Sequence, residues 1–277
     1  MKLSIVTICY NDKAGFERTA KSVISQDSKD FEWIIIDGGS TDGGAEFIKN
    51  TVDTLNADPH TSDLVGYFVS ERDNGIYNAM NKGIKHTKGE YVQFLNSGDC
   101  LLEDNTISKV ISYLIEKDLY VADICHPDDN SQKPGFNLTQ DITDKQLVYQ
   151  LMLFTLPHPS SFFKRDFFDR FGYFDETLKV VSDWKLYFQS IVMNNATIQI
   201  LPFVTTLFDT TGISNTGNKS DEERKVALYE YPRMNTIIRY YRETYEIVSA
   251  LQSKWYGRFL VRLCYFIIRK FNNTNIT

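Results

Sequence analysis

The sequence predicts an α/β fold, a mostly parallel sheet flanked by helices, followed by a C-terminal helical extension. Three observations predict it. From Leu3 to Leu95, short apolar runs rich in Ile, Val and Phe alternate with segments of helical period. Each apolar run stops at a cluster of Gly, Asn, Asp or Ser, the punctuation of a strand that turns into a helix. From Asp221 onward the pattern is helical, with a break near Tyr245. Repeated strand, turn and helix implies right-handed crossovers, which lay successive strands parallel.

Leu3 to Cys9 is the first buried strand, broken by Tyr10-Asn11-Asp12. A helix from about Lys13 to Ser25 follows, with Phe16, Ala20, Val23 and Ile24 on one face. Trp33 to Ile36 is the next strand and ends in Asp37-Gly38-Gly39-Ser40-Thr41-Asp42, where Ser40 or Thr41 caps the helix carrying Phe47 and Ile48. Asp53 to Leu64 reads as loop, Tyr67 to Val69 as a short strand, Asp73-Asn74-Gly75 as a turn and Ile76 to His86 as a helix. Tyr91 to Leu95 is a central strand that stops at Asn96-Ser97-Gly98-Asp99.

Beyond Asp104 the pattern loosens. Ile107 to Glu116 is helical, Leu119 to Ile124 a strand, and Pro127 to Asp141 a loop without period. An apolar stretch, Leu147 to Phe154, leads to His158-Pro159-Ser160-Ser161 and a strand-like Phe162-Phe163. Arg165 to Phe171 is a short helix ended by Gly172. In Val180 to Met193, Ser182 is the expected N-cap and Asp183 sits in the first helical turn. Ile198 to Phe208 holds strand-like runs, and Thr210 to Asn218 is small and polar.

Composition narrows the function classes. A chain of 277 residues with 42% apolar residues builds one large domain, or a domain with an appendage. A formal net charge of −6 argues against nucleic acid as a partner, because phosphate backbones want a basic face. Cys9, Cys100, Cys125 and Cys264 share no paired spacing and read as reduced thiols of a cytosolic protein. The opening MKLSIVTICYND is too short in its apolar run for a signal peptide, and no stretch is long enough to span a membrane as a simple helix.

The polar clusters Tyr10-Asn11, Asp37, Asp73-Asn74 and Asn96 to Asp99 all follow strands. Ligands of open α/β sheets sit outside the carboxyl ends of the strands, so these clusters are expected on one edge, around one ligand.

The opening SIVTICYND, IIIDGGSTDG, ERDNGIYNAMNKGI, YVQFLNSGD and VVSDWKLYF occur in this order at family spacing. Together, over roughly residues 1–215, they resemble a family 2 glycosyltransferase, an inverting enzyme of GT-A fold, with bacterial polysaccharide-biosynthesis members as the nearest type. The resemblance implies a catalytic domain of residues 1–217, with a nucleotide-sugar half (1–104) and an acceptor half (105–217), and an extension of residues 218–277. It implies transfer of a sugar from a nucleotide diphosphate donor, a UDP-sugar foremost, to a saccharide or lipid-linked acceptor. Mn²⁺ or Mg²⁺ on the diphosphate would meet the leaving group's charge.

The site residues follow from the same resemblance. Asp99 is the metal ligand; family members carry DxD or a longer acidic run here, and only the last acid stands in Asn96-Ser97-Gly98-Asp99. Asn96 and Ser97 contact the donor sugar or ribose. Asp37 reads the base, with Gly38 where a second Asp is common, or caps the next helix. Tyr10, Asn11 and Gly39 lie beside the nucleoside, and Asp73 and Asn74 belong to a loop closing over it. In Asn78 to Gly83, Met80 replaces a frequent Arg; Asn81 stays with the donor, and Lys82 supplies the positive charge or is a solvated helix residue. Asp183 is the catalytic base, or a structural residue at a helix start. His158 and Trp184 are assigned to the acceptor side, with the core as the other place for Trp184. No late His follows the last strand, and Asp209 is the candidate to replace it at the metal.

A sugar nucleotidyltransferase would want glycines after the first strand, which Tyr10-Asn11-Asp12-Lys13 lacks. A non-catalytic binding homologue is disfavoured by Asp37, Asp99 and Asp183 standing together. In the last helix, 251–271, Lys254, Arg258, Arg262 and Arg269 fall on one side at about 100° per residue, opposite an aromatic-rich apolar face. That suits peripheral contact with anionic lipid at the inner face of the plasma membrane. The alternative is packing on the catalytic domain or on a second copy in a homodimer.

Overall fold

A computed structural model describes residues 1–126, 144–212 and 219–228, with residues 142, 231, 236–240, 243, 244, 247 and 250. The loop expected at 127–141, most of the small polar stretch after Thr210 (213–218) and the basic helix 251–271 lie outside the described residues. The chain divides into two compact units, Met1–Ala227 and Leu228–Thr277. In the second, residues 236–240 are helical and Arg239 pairs with Glu243 one turn away.

The first unit alternates as the sequence suggests. Its elements are β1 (Leu3–Cys9), α1 (Lys13–Ile24), β2 (Phe31–Asp37), α2 (Gly44–Ala57), β3 (Val65–Ser70), α3 (Ile76–Ile84) and β4 (Tyr91–Phe94). Then come β5 (Cys100–Leu101), α4 (Thr106–Ile111), β6 (Leu119–Cys125), α5 (Asp144–Leu153), β7 (Ser161–Lys164), α6 (Phe167–Phe171), α7 (Ser182–Tyr187), β8 (Ile198–Leu207) and α8 (Lys219–Ala227). The strands form one sheet in the order β3-β2-β1-β4-β7-β6-β8-β5. Strands β3, β2, β1 and β4 are mutually parallel, whereas β7 runs antiparallel to β4 and β6, and β5 antiparallel to β8. The predicted mostly parallel α/β sheet is present.

Burial explains the uninterrupted apolar strands. Successive residues of β1 and β2 alternate between two cores: Val6, Ile8, Ile34 and Ile36 in one, Ile5, Cys9, Trp33 and Ile35 in the other. Both faces are covered by helices, so no polar alternation survives. At the same end of each strand the chain leaves the core, and the polar turns gather there.

Three local expectations differ. Helix α2 runs on to Ala57, through part of the segment read as loop, because Val52 and Leu55 bury the face that Asp53 and Thr54 do not. Its N-cap is Gly43, in the left-handed region at φ +84°, rather than Ser40 or Thr41. The N-cap of α7 is Val181; the Ser182 hydroxyl instead accepts the N–H of Asp175 (2.5 Å). Strand β5 is too short to show any period, yet its pairing with β8 (Cys100 opposite Leu207) brings the end of β8 to the turn after β4. The division after Ala227 keeps α8 with the first unit. Glu223 accepts backbone N–H groups of Lys179 and Val180, and Arg224 donates to the Leu153 carbonyl.

Candidate active site

Four turns meet at the carboxyl ends of the parallel strands. After β1, Asn11 takes a positive φ of 50°, and its side-chain oxygen accepts the Thr41 N–H (2.7 Å) while its own N–H donates to Ser40 Oγ (2.8 Å). This stitches the β1 turn to the β2 turn. The Asp37 carboxylate is fully buried and accepts from Gly39 N, Ser40 N, Ser40 Oγ and Ser70 Oγ. Four donors fill its lone-pair positions, so Asp37 holds the turn and the end of β3.

A slot opens beside it. A Cβ on Gly38 would lie 3.1 Å from Asp73 Oδ2 and 3.2 Å from Tyr10 Cδ2. The Tyr10 ring is 67% exposed, so a planar aromatic surface and a carboxylate flank a position without a side chain. Lys82 donates to Asp73 Oδ1 (2.5 Å) and Glu71 (2.7 Å), which holds Asp73 against the slot. Lys82 is therefore a support for the loop. Gly39 approaches the backbone of Arg72, and Asn74 bonds through its N–H to Asn78 Oδ1 (3.2 Å). The exposed Arg72, which sequence reasoning passed over, stands in this loop.

The turn after β4 is templated by α1. The Thr19 hydroxyl accepts the Gly98 N–H (3.0 Å) and lies 2.7 Å from the Asp99 carbonyl. One turn on, Ser22 Oγ accepts the Leu101 N–H (3.1 Å). The Gln26 amide donates to the Glu103 carbonyl and accepts the Ile107 N–H. Asp12, the N-cap of α1, accepts the Ser97 hydroxyl (2.6 Å), so Ser97 is committed within the protein. These residues were missed because an amphipathic reading of α1 counts only its apolar positions; Thr19 and Gln26, buried polar residues on that side, were the available signal. The side-chain oxygen of Asn96 is buried with no hydrogen-bond partner among the described residues.

Asp99 is 5% exposed, and its Oδ1 accepts the Asp209 N–H (2.9 Å). Burial and the nearby Asp209 charge push its carboxyl up to about 7. Asp209 itself is satisfied. Oδ1 accepts from Thr211 N and Oγ1, and Oδ2 accepts from Arg18 (2.8 Å). Burial opposes its charge, but Thr211 and Arg18 outweigh that and hold its carboxyl below the usual range. The backbone of Asp209 thus orients Asp99, and its side chain anchors that backbone to α1. A Cβ on Gly98, at φ +98°, would meet Asp209 Oδ2 at 2.4 Å, so glycine is required there.

An under-neutralised buried carboxylate at a strand end fits a hard divalent cation. Among the described residues no cluster of three or more His, Cys, Asp or Glu forms a cage.

On the other side, Asp183 lies in the first turn of α7 and accepts the Tyr77 hydroxyl (3.3 Å). His158 precedes β7 in an aromatic nest, stacked on Phe94 at 5.3 Å. Burial pushes its pKa down against the opposing charge of Asp183, and neither ring nitrogen has a hydrogen-bond partner among the described residues. Two assignments are corrected. Trp184 is 1% exposed and donates to the Leu151 carbonyl (2.6 Å), so it is core. Asn81 is buried and spent on the Phe174 backbone and Glu176, so it joins α3 to the segment before α7.

Comparison with known proteins agrees with this layout. The profile described as "Glycosyl transferase family 2" matches residues 4–177. An uncharacterized glycosyltransferase of Mycobacterium tuberculosis is 29% identical over 248 residues, 86% of this chain and 85% of that protein. A PGL/p-HBAD biosynthesis glycosyltransferase of Mycobacterium bovis is 27% identical over 186 residues, 65% of this chain and 66% of that protein. Among solved structures, Staphylococcus aureus TarS 1-349 in complex with UDP-GlcNAc superimposes with a TM-score of 0.64 at 19% identity, covering 86% of this chain and 66% of that one. The chain spans 60% of TarS 1-349 in its UDP complex. A mannosyltransferase from Pyrobaculum calidifontis, in complex with GDP-Man and Mn²⁺, gives a TM-score of 0.60 at 15% identity and covers 96% of this chain and 80% of that one.

Proposed function

The chain belongs to glycosyl transferase family 2, and we propose that it moves a sugar from a UDP-sugar to an acceptor hydroxyl with inversion, in the presence of Mn²⁺ or Mg²⁺. The observation that carries this reading is the buried, under-neutralised Asp99 at the sheet edge that also bears the Tyr10–Gly38–Asp73 slot. The base lies at the mouth of this narrow slot in our reading: the exposed Tyr10 offers its ring, and Asp73, in place of the saturated Asp37, accepts a ring N–H. Asn96, whose side-chain oxygen is buried and unpaired, stays with the donor in this reading. Asp99 would hold a divalent cation, which would supply positive charge against the leaving diphosphate.

Asp183 is the base in this reading. It takes the acceptor O–H proton as the new bond to the anomeric carbon forms. The bond from that carbon to the phosphate oxygen breaks, and its electron pair leaves with the diphosphate. The structural neighbours hold UDP-GlcNAc and GDP-Man, which supports a nucleotide-sugar donor. The PGL/p-HBAD relative supports a glycoconjugate product. The acceptor is a saccharide or a lipid-linked saccharide, met at the inner membrane face through 251–271. Among the described residues no helix is long and apolar enough to cross a membrane.

A thermal-shift panel of nucleotide sugars with Mn²⁺ tests the donor. Stabilisation by UDP-sugars, lost on chelation, is the expected result, together with slow hydrolysis of the preferred donor. No stabilisation by any nucleotide sugar would sink the reading. Asp183→Asn should keep donor affinity within a few-fold and reduce kcat by about 10² or more.

A further inference from the structure

Helix α3 begins directly after the loop that carries Asp73 and Asn74, and its first turn reaches the other side of the cleft. Tyr77 is 5% exposed and stacks on Phe174 (5.6 Å, 25° between planes). Its hydroxyl lies 3.3 Å from Asp183 Oδ1, across 106 positions of sequence. The N-cap of α7, Val181, brings no side-chain hydrogen bond to the helix start, and the backbone N–H groups of Ser182 and Asp183 face the phenol oxygen. The next turn of α3 grips the same segment: Asn78 and Asn81 bind Glu176. Packing, helix-end dipoles and a side-chain hydrogen bond thus converge on one phenol.

The other ionisable groups around Asp183 do not duplicate this contact. His158, in the turn before β7, is held neutral by burial. Tyr187, one turn along α7, donates to Ser161 Oγ (2.8 Å). Lys185 is paired with Asp175 (2.8 Å), and Arg224 from α8 lies over the Trp184 ring at 5.1 Å. Burial pushes the Tyr77 phenol well above its ordinary value, so its proton stays on and points to a carboxylate.

The geometry points to Tyr77 as a positioning residue for the base: its hydroxyl donates to Asp183 and fixes that carboxylate toward the cleft. This rests on Asp183 being the base. It also gives the donor loop and the base a common support, since Asp73, Asn74 and Tyr77 lie within five residues of one another.

Tyr77→Phe keeps the ring on Phe174 and removes only the hydroxyl. With UDP-sugar, Mn²⁺ and acceptor, kcat should fall about tenfold, a fraction of the roughly 10² to 10⁴ that general-base catalysis supplies. Donor KM should stay within about twofold. Placing 3-fluorotyrosine at 77 keeps the hydroxyl and its hydrogen bond and should leave kcat within about twofold of the wild type, which covers a Phe variant that folds poorly. Asp183→Asn is the control for the underlying reading. If it turns over like the wild type, the base is elsewhere and both ideas fall. If it is inactive while Tyr77→Phe keeps the wild-type kcat, or 3-fluorotyrosine at 77 lowers kcat as much as Phe does, the inference alone is overturned.

Discussion

Asp37 ends β2 and Asp99 closes the turn after β4, the two strands that flank β1, and both carboxylates are buried, at 0% and 5% exposure. Their surroundings differ. Asp37 accepts four hydrogen bonds from its own turn and from Ser70. Asp99 accepts from the Asp209 backbone and faces a second acid. Burial alone therefore does not set the state of a carboxylate; the balance of donors around it decides how costly its charge is.

The largest effect should come from removing the unsatisfied group. Asp99→Asn should abolish turnover and Mn²⁺-dependent stabilisation by the donor. In the metal-free protein it should leave the fold intact or raise the melting temperature by about 4 °C, since it removes a desolvated charge and keeps an oxygen for the Asp209 N–H. The same logic fixes a pH dependence. Burial pushes the native Asp99 carboxyl up to about 7 from an ordinary value of 3.8. Over that interval the native state holds the extra proton, so metal-free stability should fall as pH rises from about 4 to about 7 and then level off. Asp99→Asn should remove that slope, measured by urea unfolding across the range. A variant that keeps both slope and activity would erase the distinction between the two acids.

The reverse should hold for the satisfied group. Asp37→Ala strands donors at Gly39, Ser40 and Ser70 and should cost about 3 kcal/mol in urea unfolding. Loss of activity should follow loss of folded protein. If Asp37→Ala folds as well as the wild type yet no longer binds nucleotide, Asp37 belongs with Asp99 after all.

A smaller effect should come from the template under Asp99. Thr19→Val leaves the Gly98 N–H without its acceptor and should cost about 1 kcal/mol of stability. Mn²⁺ affinity in the presence of UDP should weaken about tenfold, the lower end of what supporting residues contribute around a metal. Calorimetric titration of Mn²⁺ against the UDP-bound protein reads this directly. Unchanged affinity would make α1 a packing element only.

The position of Asp99 was legible because it depends on local chemistry: an apolar run must be a strand, Gly98 must allow the turn, and the acid after it must lie at the strand's carboxyl end. The same holds for Tyr10, Asn11, Asp73 and the place of Asp183 in a first helical turn. The direction of Trp184 was not legible, since a helix of six residues buried on most sides has no period to separate core from cleft. Asn81 and Lys82 were drawn toward the donor by their register in α3, but their partners decided otherwise: Glu176 lies 95 positions from Asn81, and Lys82 is held by the acids of the loop before its own helix.

The sequence by itself determined the alternation of strands and helices, the edge at which the polar turns gather and the acids that stand there. These follow from periodicity and turn stereochemistry, which act over a few residues. Only the tertiary structure decided which acid is saturated, which buried acid keeps few donors and which hydroxyl meets Asp183. Those roles depend on contacts such as Arg18 with Asp209, 191 positions apart, and Tyr77 with Asp183. A carboxylate's charge is set by every donor and dipole around it, and in a crossed α/β sheet those neighbours come from distant parts of the chain.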